Sequence, residues 1–433
     1  MSPVFCGILG LIALLLLLVA SLPVAFSMAI VGVVGFAAVV SPHAALVVLA
    51  VDFLDAFMNY GLSVIPLFVL MGQICFHSGI SGKLFAAADK WFGALPGGLA
   101  MATVGACAAF GAICGSGPAT AATMAAAALP EMRRCRYDGA LAAGVVAAGG
   151  GLGMLIPPSV VFIVYGILTE QSIGKLFIAG IVPGILVAIL FCATIAAICA
   201  LRPGVAPRRA PAPWRERFAS LAGVGETLAL FALVLGGMFL GWFTPTEGAA
   251  VGAAGSIAIA AAAGKLSRRM LAAALDGTIR TSCMVMVIVA GATVFGHFLA
   301  VTGIPSHLAG WLATLPFPGW AVMIFVSLFY LIAGCFIDSL ALVMLTVPIF
   351  HPVILKLGYD PIWFGVLVVL VTQMGVITPP VGVNVYVVSG IDRSTPIQAI
   401  FRGAMPFLLA LAVAALIILF FPAVATWLPA LVS

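Results

Sequence analysis

Apolar stretches of about 20 residues, the length of one bilayer crossing, follow one another along this chain from Val4 onward, separated by short polar turns. Regular alternation of apolar and polar positions, the mark of barrel strands, does not occur. The pattern predicts an all-α polytopic membrane protein. Two apolar stretches carry unexpected punctuation. GGGLGMLIPPSVV, from Gly149, and GVITPPVGVN, from Gly375, hold consecutive prolines and several glycines where a continuous helix would be expected. Proline removes an N–H and displaces the preceding residue from the α region, so both helices must break at membrane depth.

The two punctuated segments belong to a longer repeat. Tyr137, Asp138, Gly153, Pro157 and Pro158 match Tyr359, Asp360, Gly375, Pro379 and Pro380, all at one offset of 222 residues, and Pro130 matches Pro352 at the same offset. WFGALPGG from Trp91 echoes WLATLPFPG from Trp311, and SGIS at Gly79 echoes TGIP at Gly303. A shared offset over this many positions points to duplication.

Charge orients the copies. Only 7% of the 433 residues are charged, 64% are hydrophobic, and the net charge is +5. Five of the basic residues lie in RPGVAPRRAPAPWRER (202–217), and others cluster at Arg133, Arg134 and Arg136 and at Lys265, Arg268, Arg269 and Arg280. Basic loops stay cytoplasmic. The loop before Tyr137 holds three arginines, whereas its counterpart before Tyr359 holds only Lys356. Equivalent loops with opposite basic content suggest an inverted repeat, an arrangement typical of secondary transporters.

The expected plan has entry helices over 1–55 and a first copy over 56–201, with a re-entrant hairpin near 113–130 and a broken helix near 138–170. A cytoplasmic connector follows over 202–222, then scaffold helices and a basic segment over 223–275. A second copy covers 276–396, with a hairpin near 335–352 and a broken helix near 361–390, and a last span covers 397–433. About eleven spans fit this plan, besides the two hairpins.

The breaks imply chemistry. A half-helix ending at a Pro pair exposes carbonyl oxygens, which suit a hard cation such as Na⁺. The half-helix that follows exposes N–H groups, which suit a carboxylate. Asp338 stands alone in an apolar stretch, and an ionised Asp at mid-bilayer costs roughly 2.5–3.5 kcal/mol, so it needs a partner or a task. Its counterpart at offset 222 is Ser116. Two cation sites are expected: Ser116 with Gly153, Ile156 and Pro158, and Asp338 with Gly375, Thr378 and Pro380. Thr120, Thr123, Ser159 and Asn384, near hairpin tips or just past the breaks, are candidate substrate contacts, and each would equally serve as an internal helix cap.

Other chemistries lack support. The nine cysteines form no CxxC, the five histidines show no HxxxH or HExxH spacing, and there is no phosphate-binding GxxxxGK[ST] loop. A membrane enzyme would need a nucleophile–base pair, and a passive pore would not need closed sites at the midplane. The Arg-rich connector is too short and Pro-rich to read as a nucleic-acid surface.

GSGPATAATMAAAALPEM, YDGALAAGVVAAGGGLGMLIPPS and GVITPPVGVNVYV together resemble the large membrane subunit of tripartite ATP-independent periplasmic (TRAP) transporters. The resemblance covers nearly the whole chain. It implies an elevator-type transporter of the bacterial inner membrane, in which a mobile domain with two hairpins slides against a scaffold. It implies Na⁺-driven import of organic acids such as C4-dicarboxylates or sialic acid. It further implies a periplasmic substrate-binding protein and a small four-helix membrane subunit, here expected as a separate polypeptide. The family's sodium sites fall on the same eight residues named above, with Cys114 where some members carry a second serine. A stand-alone ion-coupled dicarboxylate symporter of a related elevator fold is the alternative.

Overall fold

A computed structural model describes residues 2–20, 22–207, 212–314 and 317–432. Arg208 and Arg209 of the basic connector, and Leu315 and Pro316 of the second Trp-led echo, lie outside the described residues. Every regular element described is helical. Three helices open the chain: α1 (Pro3–Val19), α2 (Val24–Val39) and α3 (Pro42–Met58). The next seven are α4 (Val64–His77), α5 (Ile80–Phe92), α6 (Gly98–Cys114), α7 (Gly117–Arg134), α8 (Gly139–Gly150), the single turn α9 (Leu152–Leu155) and α10 (Val160–Leu168). The long α11 (Ile173–Leu201) precedes α12 (Trp214–Phe239), α13 (Pro245–Ala262) and α14 (Arg268–Thr302). The chain closes with α15 (Ile304–Thr314), α16 (Gly319–Gly334), α17 (Ser339–Lys356), α18 (Pro361–Gly375), α19 (Val383–Ile391), α20 (Ile397–Phe420) and α21 (Ala423–Val432).

Six described stretches are long and apolar enough to cross a membrane: Tyr60–His77, Gly139–Leu168, Ile173–Leu201, Arg268–Thr302, Ser339–Lys356 and Ile397–Phe420. Five further apolar helices, among them α1, α2 and α6, are shorter. At 1.5 Å per residue a 17-residue helix reaches only about 26 Å, short of the ~30 Å hydrocarbon core. Length alone therefore gives fewer crossings than the eleven that hydropathy suggests.

Two packing groups form. An outer group places α14 against α2, α3 and α4, and adds α13 on α4 and α12 on α13. An inner group packs α8 on α20 and α7, α16 on α18, α19 on α7, and α10 on α17. The broken segment Gly139–Leu168 is the buried axis of the inner group, with 83% of its apolar window inside the protein, against 22% for the peripheral α11. Helix α5, packed on α6 and α12, connects the groups. A polar tie within the outer group escaped the sequence: buried Asp52 of α3 meets His297 Nδ1 of α14 at 2.9 Å.

The 222-residue offset reappears in the elements. Shifted by it, Gly117–Arg134 falls on Ser339–Lys356, and the start of α8 at Gly139 falls on the start of α18 at Pro361. The repeated Tyr-Asp pair explains itself locally. Asp138 caps α8, accepting from Leu141 N at 2.9 Å, and Asp360 caps α18, accepting from Ile362 N at 2.7 Å. The Tyr137 hydroxyl accepts from Leu99 N at the start of α6, and Tyr359 sits against Gly319 at the start of α16. Each tyrosine thus fixes the first arm of a helix–turn–helix unit, and each aspartate starts the broken helix.

Those units are larger than the polar clusters suggest. The first runs from 98 to 134 and turns at Gly115–Ser116, so 113–130 is its turn and most of its second arm. Helix α7 continues through Pro130, and α17 through Pro348 and Pro352. A proline removes one helix hydrogen bond, and neighbouring bonds carry the rod onward when the flanks are well packed.

Candidate functional site

Glycines let the first tip touch the first break. Gly111, near the end of α6, lies so close to Gly153 that a Cβ on Gly111 would stand 2.6 Å from the Gly153 Cα. Gly115 ends α6 with φ +65°, a left-handed conformation that glycine adopts without strain, and a Cβ there would stand 2.6 Å from the Pro158 carbonyl oxygen. The backbone then joins across the gap, Val160 N donating to Gly115 O at 3.3 Å. A Cβ on Gly153 would meet the Ser116 carbonyl oxygen at 2.9 Å. Ser116, Gly153 and Pro158 are therefore neighbours, with Ile156 in the non-helical stretch between α9 and α10.

The second copy repeats the contact. A Cβ on Gly375 would stand 2.4 Å from the Gly334 carbonyl carbon at the end of α16. Val381 N, just after the second Pro pair, donates to Cys335 O at 3.3 Å. The Thr378 hydroxyl donates to Met374 O, four residues back, at 2.7 Å. Asp338 caps α17, accepting from Leu340 N at 3.0 Å. Asp338, Gly375, Thr378 and Pro380 are thus carried by one tip and the break pressed against it through Gly334–Gly375 and Cys335–Val381. Both Pro–Pro bonds, 157–158 and 379–380, are cis.

The two tips share one cavity of about 290 Å³. Ser116 and Gly117 line it from the first tip, Asp338 and Ser339 from the second, and Val160 from the start of α10. The outer group supplies the far wall through Gln73 of α4 and Thr281 of α14. The N-termini of α7, α10 and α17 therefore converge on one space. Each aims the positive end of its dipole there. Helices α10 and α17 are capped by Ser159 and Asp338, whereas α7 has no side-chain cap and keeps first-turn N–H groups free, so the site favours an anion at the α7 end. Lys and Arg are absent from the lining residues. The Ser339 hydroxyl is buried and has no hydrogen-bond partner among the described residues.

Thr120, Thr123, Ser159 and Asn384 do not line this cavity. All four are buried and each makes a hydrogen bond within the protein, although the Asn384 Oδ1 has no partner among the described residues. Thr120 donates to Ser116 O at 2.7 Å, Thr123 to Ala119 O at 2.8 Å, and Ser159 caps α10 by accepting from Phe162 N at 3.4 Å. Asn384 crosses between the copies, its Nδ2 donating to Ala147 O of α8 at 3.0 Å. They brace the tips and breaks. Gln73, Thr281 and Ser339 are polar cavity residues that sequence reasoning missed. The single amide in VIPLFVLMGQICF was a signal for Gln73; the convergence of α4 and α14 on the tips had no sequence sign.

Known proteins resemble the chain in fold and in sequence. By three-dimensional similarity the chain resembles the YdaH transporter of Alcanivorax borkumensis, with a TM-score of 0.56, 16% identity and 88% of each chain covered. It also resembles MtrF of Neisseria gonorrhoeae, titled as one of a class of antimetabolite efflux pumps, with a TM-score of 0.52, 14% identity, and 88% of this chain and 85% of that one covered. These likenesses concern the fold. In sequence it is 37% identical over 382 residues to a C4-dicarboxylate TRAP transporter large permease protein of Pseudomonas aeruginosa, covering 88% of this chain and 89% of that one. It is 32% identical over 416 residues to the sialic acid TRAP transporter large permease protein of Vibrio cholerae, covering 96% of each. An isethionate TRAP transporter permease protein of Oleidesulfovibrio alaskensis is 34% identical over 381 residues, which is 84% of this chain and 58% of that longer one. The profile of the tripartite ATP-independent periplasmic transporter family, DctM component, matches residues 11–424. This chain belongs to that family of transporter permeases and is a multi-pass membrane protein.

Proposed function

We propose that this subunit imports small organic acids across the bacterial inner membrane, coupled to Na⁺. The observation that carries the reading is the convergence of three helix N-termini, from both tips and the first break, on a cavity closed by the outer group. A carboxylate held there meets backbone N–H groups, the free Ser339 hydroxyl, and the polar side chains of Gln73 and Thr281. Na⁺ sits behind the tips: one ion at Ser116, Gly153, Ile156 and Pro158, a second at Asp338, Gly375, Thr378 and Pro380. Carbonyl and carboxylate oxygens are the hard ligands this ion prefers. Thr120, Thr123, Ser159 and Asn384 act on the cargo through the tips they brace.

The cavity wall is shared by the two packing groups, so displacement of the inner group along the membrane normal carries the site from one face to the other. This is an elevator mechanism built on inverted repeats. The matching element bounds and the unequal basic content of the equivalent loops support it. The relatives' names point to C4-dicarboxylates, sialic acid and isethionate, all of them oxyanions. A small four-helix membrane subunit and a periplasmic binding protein complete the assembly. Each net positive charge moved inward, toward the negative cytoplasmic side, gains roughly 2.3 kcal/mol per 100 mV.

Reconstitution tests the proposal. Proteoliposomes with the chain and its small subunit, supplied with loaded binding protein, should accumulate labelled dicarboxylate only under an inward Na⁺ gradient. Equal uptake with K⁺ replacing Na⁺ would refute the coupling. Accumulation of free substrate without the binding protein would favour a stand-alone symporter.

A further inference from the structure

A second cavity lies away from the tips, at the lipid-facing edge of the inner group. Helices α11 and α20 run antiparallel and touch where Phe191 meets Phe407 edge-on, ring centroids 5.2 Å apart. The first turn of α8 closes the floor: Gly403 of α20 lies so near that a Cβ on it would overlap the Ala140 carbonyl oxygen. Between these three helices lies a groove of about 890 Å³. Along α11 it extends from Leu190 to Leu201, and along α20 from Arg402 to Val413. Eleven helical steps at 1.5 Å make about 16 Å. That is close to half of the ~30 Å hydrocarbon core, the depth of one leaflet.

The groove is polarised along this length. Its inner end is formed by Leu190 and Val413, its outer end by Arg202, Arg402 and Asp138. Leu201 and Leu409 on its rim are 82% and 69% exposed, as lipid-facing residues are. The Asp138 carboxylate is committed to capping α8. Neither Arg202 nor Arg402 has an ion-pair partner among the described residues. The arginine end is the basic, cytoplasmic end, beside the loop that holds Arg133, Arg134 and Arg136.

We propose that this groove is a binding site for one anionic phospholipid of the cytoplasmic leaflet. The phosphate sits between Arg202 and Arg402, where planar guanidinium groups bind it by paired charge-assisted hydrogen bonds. An acyl chain lies along α11 and α20 and covers walls that otherwise face water or mobile lipid. The match rests on two independent properties, unpaired positive charge at the headgroup level and an apolar trough one leaflet deep. A small dicarboxylate would satisfy the arginines and leave the trough empty. The site stands apart from the transport cavity and does not depend on what that cavity carries.

Native mass spectrometry tests this. The chain, with its small subunit, is placed in nanodiscs of equal parts phosphatidylglycerol and phosphatidylcholine, then released into mild detergent. At least one phosphatidylglycerol should stay bound, at several-fold excess over phosphatidylcholine. Arg202→Gln with Arg402→Gln should abolish the preference, and Arg202→Lys with Arg402→Lys should keep part of it. Ala197→Trp, which fills the trough, should lower retention of both lipids. Equal retention of the two lipids by the unmodified chain, or an unchanged preference in the double Gln variant, overturns the proposal. A photo-crosslinking residue at Ala193 tests the occupant directly, without altering the arginines. A lipid adduct is expected, whereas a crosslink to the small subunit or to a second copy of the chain would assign the groove to a helix.

Discussion

Gly375 lies against Gly334 with no room for a methyl group: a Cβ on Gly375 would stand 2.4 Å from the Gly334 carbonyl carbon. Gly153 and Gly111 make the equivalent contact in the first copy. Each break is pressed against the helix that leads into its own tip, and the backbones themselves form the contact.

Gly375→Ala and Gly111→Ala should therefore each destabilise the protein by about 1–3 kcal/mol, the cost of overpacking a close contact whose neighbours are backbone. Gly390→Ala, where a Cβ would meet nothing within 4 Å, is the control and should be neutral or mildly stabilising. Thermal unfolding in detergent measures both.

Asp338→Asn should retain the fold, because an amide oxygen still caps α17 by accepting from Leu340 N. Sodium-driven uptake should fall by more than tenfold, at least about 1.4 kcal/mol, because a neutral ligand replaces a charged one. Uptake with unmodified sodium dependence would remove Asp338 from the ion site.

Gln73→Leu should raise KM by about 5–30-fold, the loss of one hydrogen bond worth roughly 1–2 kcal/mol, with little change in Tm. Gln73 lines the cavity from the outer group, so this variant reports on closure between the two groups. An unchanged KM would mean that α4 does not reach the cargo.

Arg133 forms a salt bridge with Asp392, joining the end of α7 to the end of α19. Asp392 is buried and also accepts from Ser394 N at 3.0 Å, Ser394 Oγ at 2.9 Å and Thr395 Oγ1 at 2.9 Å. Arg133 is half exposed, so Arg133→Gln should cost about 1 kcal/mol. Asp392→Ala should cost about 3 kcal/mol or more, because it orphans the arginine and the three donors around it. Chemical denaturation of the two variants side by side gives the comparison.

These relationships differ in how far the chain announces them. The Pro pairs, the Tyr-Asp pairs and the placement of Ser116 and Asp338 at tips were legible, because proline, glycine and an isolated carboxylate act through local backbone chemistry. The roles of Thr120 and Thr123 were not legible. A threonine in a helix satisfies its hydroxyl on the carbonyl four residues back, and sequence does not say whether it does so or faces a cavity. The first arms of the two tip units were hidden because α6 and α16 are apolar and read as ordinary spans. Gln73 and Thr281 meet only through packing of α4 and α14, a contact between distant segments that leaves no local sign.

The most direct measurement is a high-resolution map of the chain with Na⁺ and a bound dicarboxylate. The account predicts carboxylate density within hydrogen-bond distance of the N–H groups that begin α7 and of the Ser339 hydroxyl, with ion density behind Ser116 and Asp338. Substrate bound elsewhere, with that cavity occupied only by water, would contradict it.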